Sequence, residues 1–108
     1  MVLAGAGIAG GRLLAQPPER VIPVETFKFV FRPAHIELRR GEPVVFELTA
    51  RDVFMGFSLP DFNVRTDVVP GKPSRLRLVP DKAGTFTFLC DVFCGDGHEQ
   101  MNGTLVVT

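Results

Sequence analysis

Apolar and polar residues alternate in short runs from Arg20 to the end of the chain. Phe27, Phe29 and Phe31 alternate with Lys28, Val30 and Arg32, and Ile36 and Leu38 with Glu37 and Arg39. Val44, Phe46 and Leu48 alternate with Val45, Glu47 and Thr49, and Leu76 and Leu78 stand between Arg75, Arg77 and Val79. Phe86, Phe88 and Cys90 share one face, as do Leu105 and Val107. Successive side chains of a strand point to opposite faces, so a two-residue period marks strands with one face on a core and the other in water. Arg40-Gly41-Glu42, Pro70-Gly71-Lys72-Pro73 and Asp81-Lys82-Ala83-Gly84 supply the turns. No window carries a helical period, and nine prolines spread along the chain oppose one. The pattern predicts an all-β fold, a two-sheet Greek-key sandwich of antiparallel strands.

A chain of 108 residues is long enough for one core and too short for two. Met1 to Gln16 are mostly Gly, Ala and Leu, with one basic residue, Arg12. That stretch is too short and too rich in glycine to span a bilayer, and no basic segment precedes it. Leu13-Leu14-Ala15-Gln16 resembles the end of a secretory signal, a flexible extension being the alternative. Pro17-Pro18 marks the boundary, which divides the chain into an N-terminal extension or signal remnant over 1–18 and a folded domain over 19–108.

Composition narrows the partners. Twelve basic and twelve acidic residues cancel, which argues against nucleic acid or an anionic membrane surface. The ten Phe, with no Trp or Tyr, are fillers of a core and carry no polar handle. The two cysteines stand four residues apart, and a disulfide closing so small a loop would add little stability.

Metal binding accounts for those cysteines better. The chain reads Cys90-Asp-Val-Phe-Cys94-Gly-Asp-Gly-His98-Glu-Gln-Met101, which gathers both cysteines, one of two histidines and one of three methionines. Two thiolates, an imidazole and a thioether form a soft to borderline donor set, and copper suits it best. A strand ending at Cys90 and another resuming near Asn102 would hold the loop, with Gly95 and Gly97 able to take positive φ. Cys94, His98 and Met101 alone would read as a mononuclear blue-copper loop. Cys90 changes that, because two thiolates at this spacing can bridge two copper ions. Zinc on two Cys and one His is a weaker contender, since it has no use for Met101.

These residues resemble the copper-binding domain of cytochrome c oxidase subunit II, which is shared with nitrous oxide reductase. The similarity runs from about Phe27 to Thr108. Besides the Cys90 to Met101 run it includes Asp52-Val53-Phe54-Met55-Gly56-Phe57-Ser58-Leu59-Pro60, then Arg65-Thr66-Asp67 and Val69-Pro70-Gly71-Lys72. The resemblance implies a cupredoxin fold with a dinuclear CuA centre. Cys90 and Cys94 would bridge, His98 would ligate one copper, and Met101 and the Val92 carbonyl would be weak ligands. Met55 is the departure, since the family has His there. His35 does not replace it, standing at the start of an early strand, where a solvated or hydrogen-bonded role is expected. Without an upstream His, one chain completes neither a standard CuA nor a standard His2Cys blue-copper site. Met55 is either a thioether ligand or core filler beside Phe54 and Phe57.

The expected function is that of a copper-binding cupredoxin with a CuA-like but modified site, holding one or two copper ions and transferring single electrons. A Cu(I) carrier or a thiol-disulfide protein are the alternatives. Its partner would be a redox protein or a copper-delivery protein, and its location periplasmic or otherwise extracytoplasmic. A homo-oligomer, in which a second chain supplies a ligand, stays open. Phe57 and Phe93 either shield the metal or belong to the core. Asp91, Asp96 and Glu99 read as solvated loop charges, with orientation of His98 or attraction of a cationic partner as alternatives.

Overall fold

The computed structural model describes residues 19–93, 95–97 and 100–108. The extension over 1–18 with its boundary at Pro17-Pro18, and the loop residues Cys94, His98 and Glu99, lie outside the described residues.

Among the described residues nine strands follow in order: β1 Arg20–Phe27, β2 Val30–Arg32, β3 His35–Leu38, β4 Val44–Ala50, β5 Met55–Leu59, β6 Val64–Val68, β7 Ser74–Leu78, β8 Gly84–Leu89 and β9 Asn102–Val107. A 3-10 turn at Pro60–Phe62 lies between β5 and β6. Two sheets face each other, one ordered β2-β1-β4-β7 and the other β3-β9-β8-β5-β6. The expected all-β sandwich is therefore present. Gly41 and Gly71, in two of the predicted turns, have φ of 85° and 84°, a region open to glycine and strained for most other residues.

Two expectations are corrected. The sheets are mixed: β1 runs parallel to β4, from Arg20↔Val44 to Thr26↔Ala50, and β3 parallel to β9, from His35↔Thr104 to Leu38↔Val107. The chain crosses repeatedly from one sheet to the other, so each arriving strand lands beside a partner distant in sequence. Direction is then set by the crossing, which alternation does not encode. The Phe27–Phe31 run is also not one strand with three rings on a face. It is the tip of the β1–β2 hairpin, with Lys28 and Phe29 in the turn and Phe29 at φ 74°. Phe31 goes to the core, whereas Phe27 lies outside it under the guanidinium groups of Arg51 and Arg32, at 4.4 and 5.1 Å.

Four phenylalanines tie the sheets together. Phe31 and Phe46 from the four-stranded sheet meet Phe57 and Phe88 from the other, with centroids 5.2–5.7 Å apart and mostly edge-on or tilted. Such geometry adds about 0.5–1.5 kcal/mol per pair beyond burial of the rings. Gly103 opposite Phe88 makes room for that ring, since a Cβ there would stand 2.2 Å from it. Thr26 is a buried polar residue, and its hydroxyl donates to the Thr49 carbonyl at 3.0 Å.

Candidate metal centre

One end of the five-stranded sheet collects the sulfur atoms. β8 and β9 pair through Phe88↔Gly103 and Leu89↔Asn102, and the ladder continues one step to Cys90, whose N–H donates to the Met101 carbonyl at 3.2 Å. Alternation from Phe88 and from Leu105 then turns both side chains toward the core, where Cys90 and Met101 are buried. On the other side β5 runs antiparallel to β8 with Ser58 opposite Leu89. Counting on from that pair brings Phe57 beside Cys90, Gly56 beside Asp91 and Met55 beside Val92. Met55, Phe57 and Leu59 face inward and are fully buried. Met55, Cys90 and Met101 therefore share the core-facing side and the same end of three adjacent strands.

A carbonyl joins them. The Cys90 thiol donates to the Val92 carbonyl oxygen at 3.1 Å, so that oxygen is turned back toward the sulfur. The loop is gripped from two sides. On the outer face, Arg65 of β6 donates through Nε and Nη2 to the two Asp91 carboxylate oxygens at 2.5 and 3.0 Å, and through Nη2 to Asp67 at 2.7 Å. The Asp91 hydrogen bond, then that of Asp67, raises the guanidinium pKa further above its already high ordinary value, so Arg65 stays charged at any working pH. On the other side the Phe29 ring packs against the loop glycines: a Cβ on Gly97 would lie 2.6 Å from it, and one on Gly95 3.1 Å.

The remaining predicted residues fall elsewhere or have their alternatives decided. His35 faces outward from edge strand β3, 58% exposed, and pairs with Glu37 at 3.1 Å. It is the hydrogen-bonded strand residue expected. Phe57 belongs to the core cluster. Phe93 is 74% exposed on the loop. Asp91 is no free loop charge, being bound to Arg65. Sequence reasoning passed over Arg65, Gly56 and Phe29. A glycine inside a strand is the signal that another group approaches closely, and Gly56 carried it.

Among the described residues no three His, Cys, Asp or Glu side chains stand together. The donors brought together are instead two thioethers, a thiol and a carbonyl, in an apolar setting. The three sulfurs are soft donors and fit copper, with the carbonyl as a harder, weaker one; Cys94 and His98, which would complete the set, lie outside the described residues.

A two-sheet sandwich carrying a Cys-x3-Cys-x3-His-x2-Met loop between its last two strands defines a cupredoxin. The chain matches the model of the cupredoxin-like domain over residues 5–107 and belongs to that family. Within it the chain is homologous to the CuA domains of cytochrome c oxidase subunit II. It is 35% identical over 91 residues to cytochrome c oxidase subunit 2 of Thermus thermophilus, a match that takes in 84% of this chain. It spans 67% of that subunit 2 chain and 54% of a second one from the same species. Among solved structures, the periplasmic domain of cytochrome oxidase subunit II of Bradyrhizobium japonicum superposes with a TM-score of 0.77 at 18% identity, over 86% of both chains. The metal-binding domain of the Cu(I)-exporting P-type ATPase of Streptococcus pneumoniae, solved with Cu(I), does so with 0.66 at 19% identity, over 87% of this chain and 92% of that one. At these identities the two structures speak for the fold. No helix among the described residues is long and apolar enough to cross a membrane.

Proposed function

We propose that this domain binds copper in a CuA-like but modified site and passes single electrons between protein partners outside the cytoplasm. The observation that carries the reading is the convergence of Cys90, Met101 and Met55 on one buried end of the sheet, with the Val92 carbonyl turned toward Cys90. Cys90, Cys94 and His98 are the strong ligands in this reading, and Met101, the Val92 carbonyl and Met55 the weak ones, holding one or two ions. Copper bound there supplies a one-electron couple. The chain's own residues fix the donors on strand ends, keep water from the sulfurs by burial, and so limit the rearrangement that accompanies a change of charge.

Met55 favours a second reading. A thioether in place of an imidazole stabilises Cu(I) and raises the potential, which suits a Cu(I) carrier that receives or delivers the ion. The homology to subunit II domains supports the first reading, and the soft sulfur donors suit the second. In either case the partner is a redox protein or a copper-delivery protein, and the folded unit is residues 19–108.

Copper analysis with optical spectra separates the outcomes. A purple protein with about two coppers per chain supports a dinuclear centre, and a blue or red one a mononuclear centre. A colourless protein that holds Cu(I) tightly supports the carrier. Absence of thiolate-to-copper bands after Cu(II) or mixed-valence loading, together with no Cu(I) binding, refutes both readings.

A further inference from the structure

Gly56 has a neighbour where its side chain would be. A Cβ built on Gly56 would lie 1.9 Å from Asp91 Oδ1, 3.0 Å from Arg65 Nη2 and 3.0 Å from a methyl of Val92. Asp91 thus occupies the side-chain space of a β5 residue, held there by a two-pronged hydrogen bond from Arg65 on β6. Its side chain is three-quarters covered, somewhat more than those of Glu19, Glu25 and Glu47 in the other ion pairs. Arg65 is in turn fixed by Asp67, two residues along the same strand and on the same face.

This contact sits back to back with the sulfur site. Gly56 and Asp91 meet on the outer face, and their chain neighbours Met55 and Cys90 project inward from the same two strand ends. Val92, whose carbonyl meets the Cys90 thiol, is the next residue of the same loop. We propose that Arg65 is a positioning residue for the metal site: through Asp91, seated on Gly56, it latches the Cys90–Val92 segment to the strand that begins at Met55. The latch holds the Cys90 sulfur and the Val92 carbonyl at a fixed distance from Met55 before any metal arrives. It uses a planar guanidinium because only a fork can satisfy both carboxylate oxygens and Asp67 at once. The inference rests on the copper reading for its functional meaning. The latch itself is a property of the metal-free chain.

The test compares Arg65→Met and Arg65→Lys with the unaltered protein and with Arg75→Met. Arg75 pairs with Glu47 on the outer face of the other sheet and is a control for loss of an ordinary ion pair. Cooperative thermal unfolding establishes that each variant folds. Cu(I) affinity is measured by competition with a chelator, and thiolate-to-copper bands are recorded after Cu(II) loading. Losing groups that orient metal ligands costs about 10- to 100-fold in affinity, and Arg65→Met should show that loss together with shifted bands. Arg65→Lys, a point charge without the fork, should recover only part of either, and Arg75→Met should change neither. If Arg65→Met binds copper as tightly as the unaltered protein, with the same bands, the latch has no part in the site. If the unaltered protein binds no copper, the copper reading fails, and amide hydrogen exchange of Val92 and Phe93 in the metal-free protein decides the latch alone. Faster exchange in Arg65→Met than in Arg75→Met then upholds it, and equal exchange overturns it.

Discussion

Met55 is fully buried at the start of β5, so its side chain packs whether or not its sulfur meets a metal. Replacing it with Ala would mix the two roles. Truncating a buried Met costs about 2–5 kcal/mol, a large part of the roughly 5–15 kcal/mol that keeps a domain folded. Met55→Leu separates them, because it roughly conserves volume and apolar character while removing the one donor atom. Swaps of that kind cost less than about 1.5 kcal/mol. Urea unfolding should therefore show a small fall in midpoint with an unchanged slope. If the sulfur is a ligand, Cu(I) affinity falls by about tenfold or more, equivalent to roughly 1.4 kcal/mol. Competition with a Cu(I) chelator under anaerobic conditions measures that loss, and spectra of the Cu(II)-loaded protein show whether the bands move. A variant that binds Cu(I) as tightly as the unaltered chain, with the same spectrum, would refute ligation by Met55 and leave it as core. Met55→His provides the complement: it should bring out the purple chromophore of a dinuclear centre where the unaltered chain shows none.

Other predictions follow from the same packing. Gly103→Ala drives a Cβ to 2.2 Å from the Phe88 ring and 2.7 Å from the Ala34 carbonyl oxygen. It should cost about 1–3 kcal/mol in urea unfolding, and a neutral result would mean that β9 has room to move. Gly97→Ala meets the Phe29 ring at 2.6 Å, so its cost should shrink when Phe29→Ala is made as well. A double-mutant cycle should show coupling of about 0.5–3 kcal/mol, and additivity would place Phe29 off the loop. Copper should act as a stabilising ligand: at free Cu(I) about 100 times the dissociation constant, unfolding should cost about 2.7 kcal/mol more than in the metal-free protein. A melting temperature unaffected by Cu(I) would contradict binding to the folded state.

Much of the fold was legible because alternation survives wherever a strand has one dry and one wet face. Ile36/Leu38, Val44/Phe46/Leu48 and Leu105/Val107 are such runs, and each is an observed strand with those residues buried. The run Phe27–Phe31 has the same period yet forms a hairpin tip, since a period of two does not reveal where a chain reverses. β5 alternates too, with Met55, Phe57 and Leu59 inward, but its outward Gly56 is also buried, being covered by Asp91. Pairing partners and strand direction were not legible at all, being set by crossings between the sheets.

For the site, the sequence by itself determined the chemistry. The spacing from Cys90 to Met101 sets a run of soft to borderline donor residues between two strands, because donor type is a property of residue identity. Tertiary structure alone decided which donors meet. It aligned Met55, Cys90 and Met101 on the inner side of one sheet end through the registers of β5, β8 and β9, and it turned His35 out to water. It also decided that Asp91, an ordinary loop charge in one dimension, has its place on Gly56 beneath Arg65. The physical reason is that such contacts join residues 26 to 35 positions apart, and only the packing of β5, β6 and β8 brings those together.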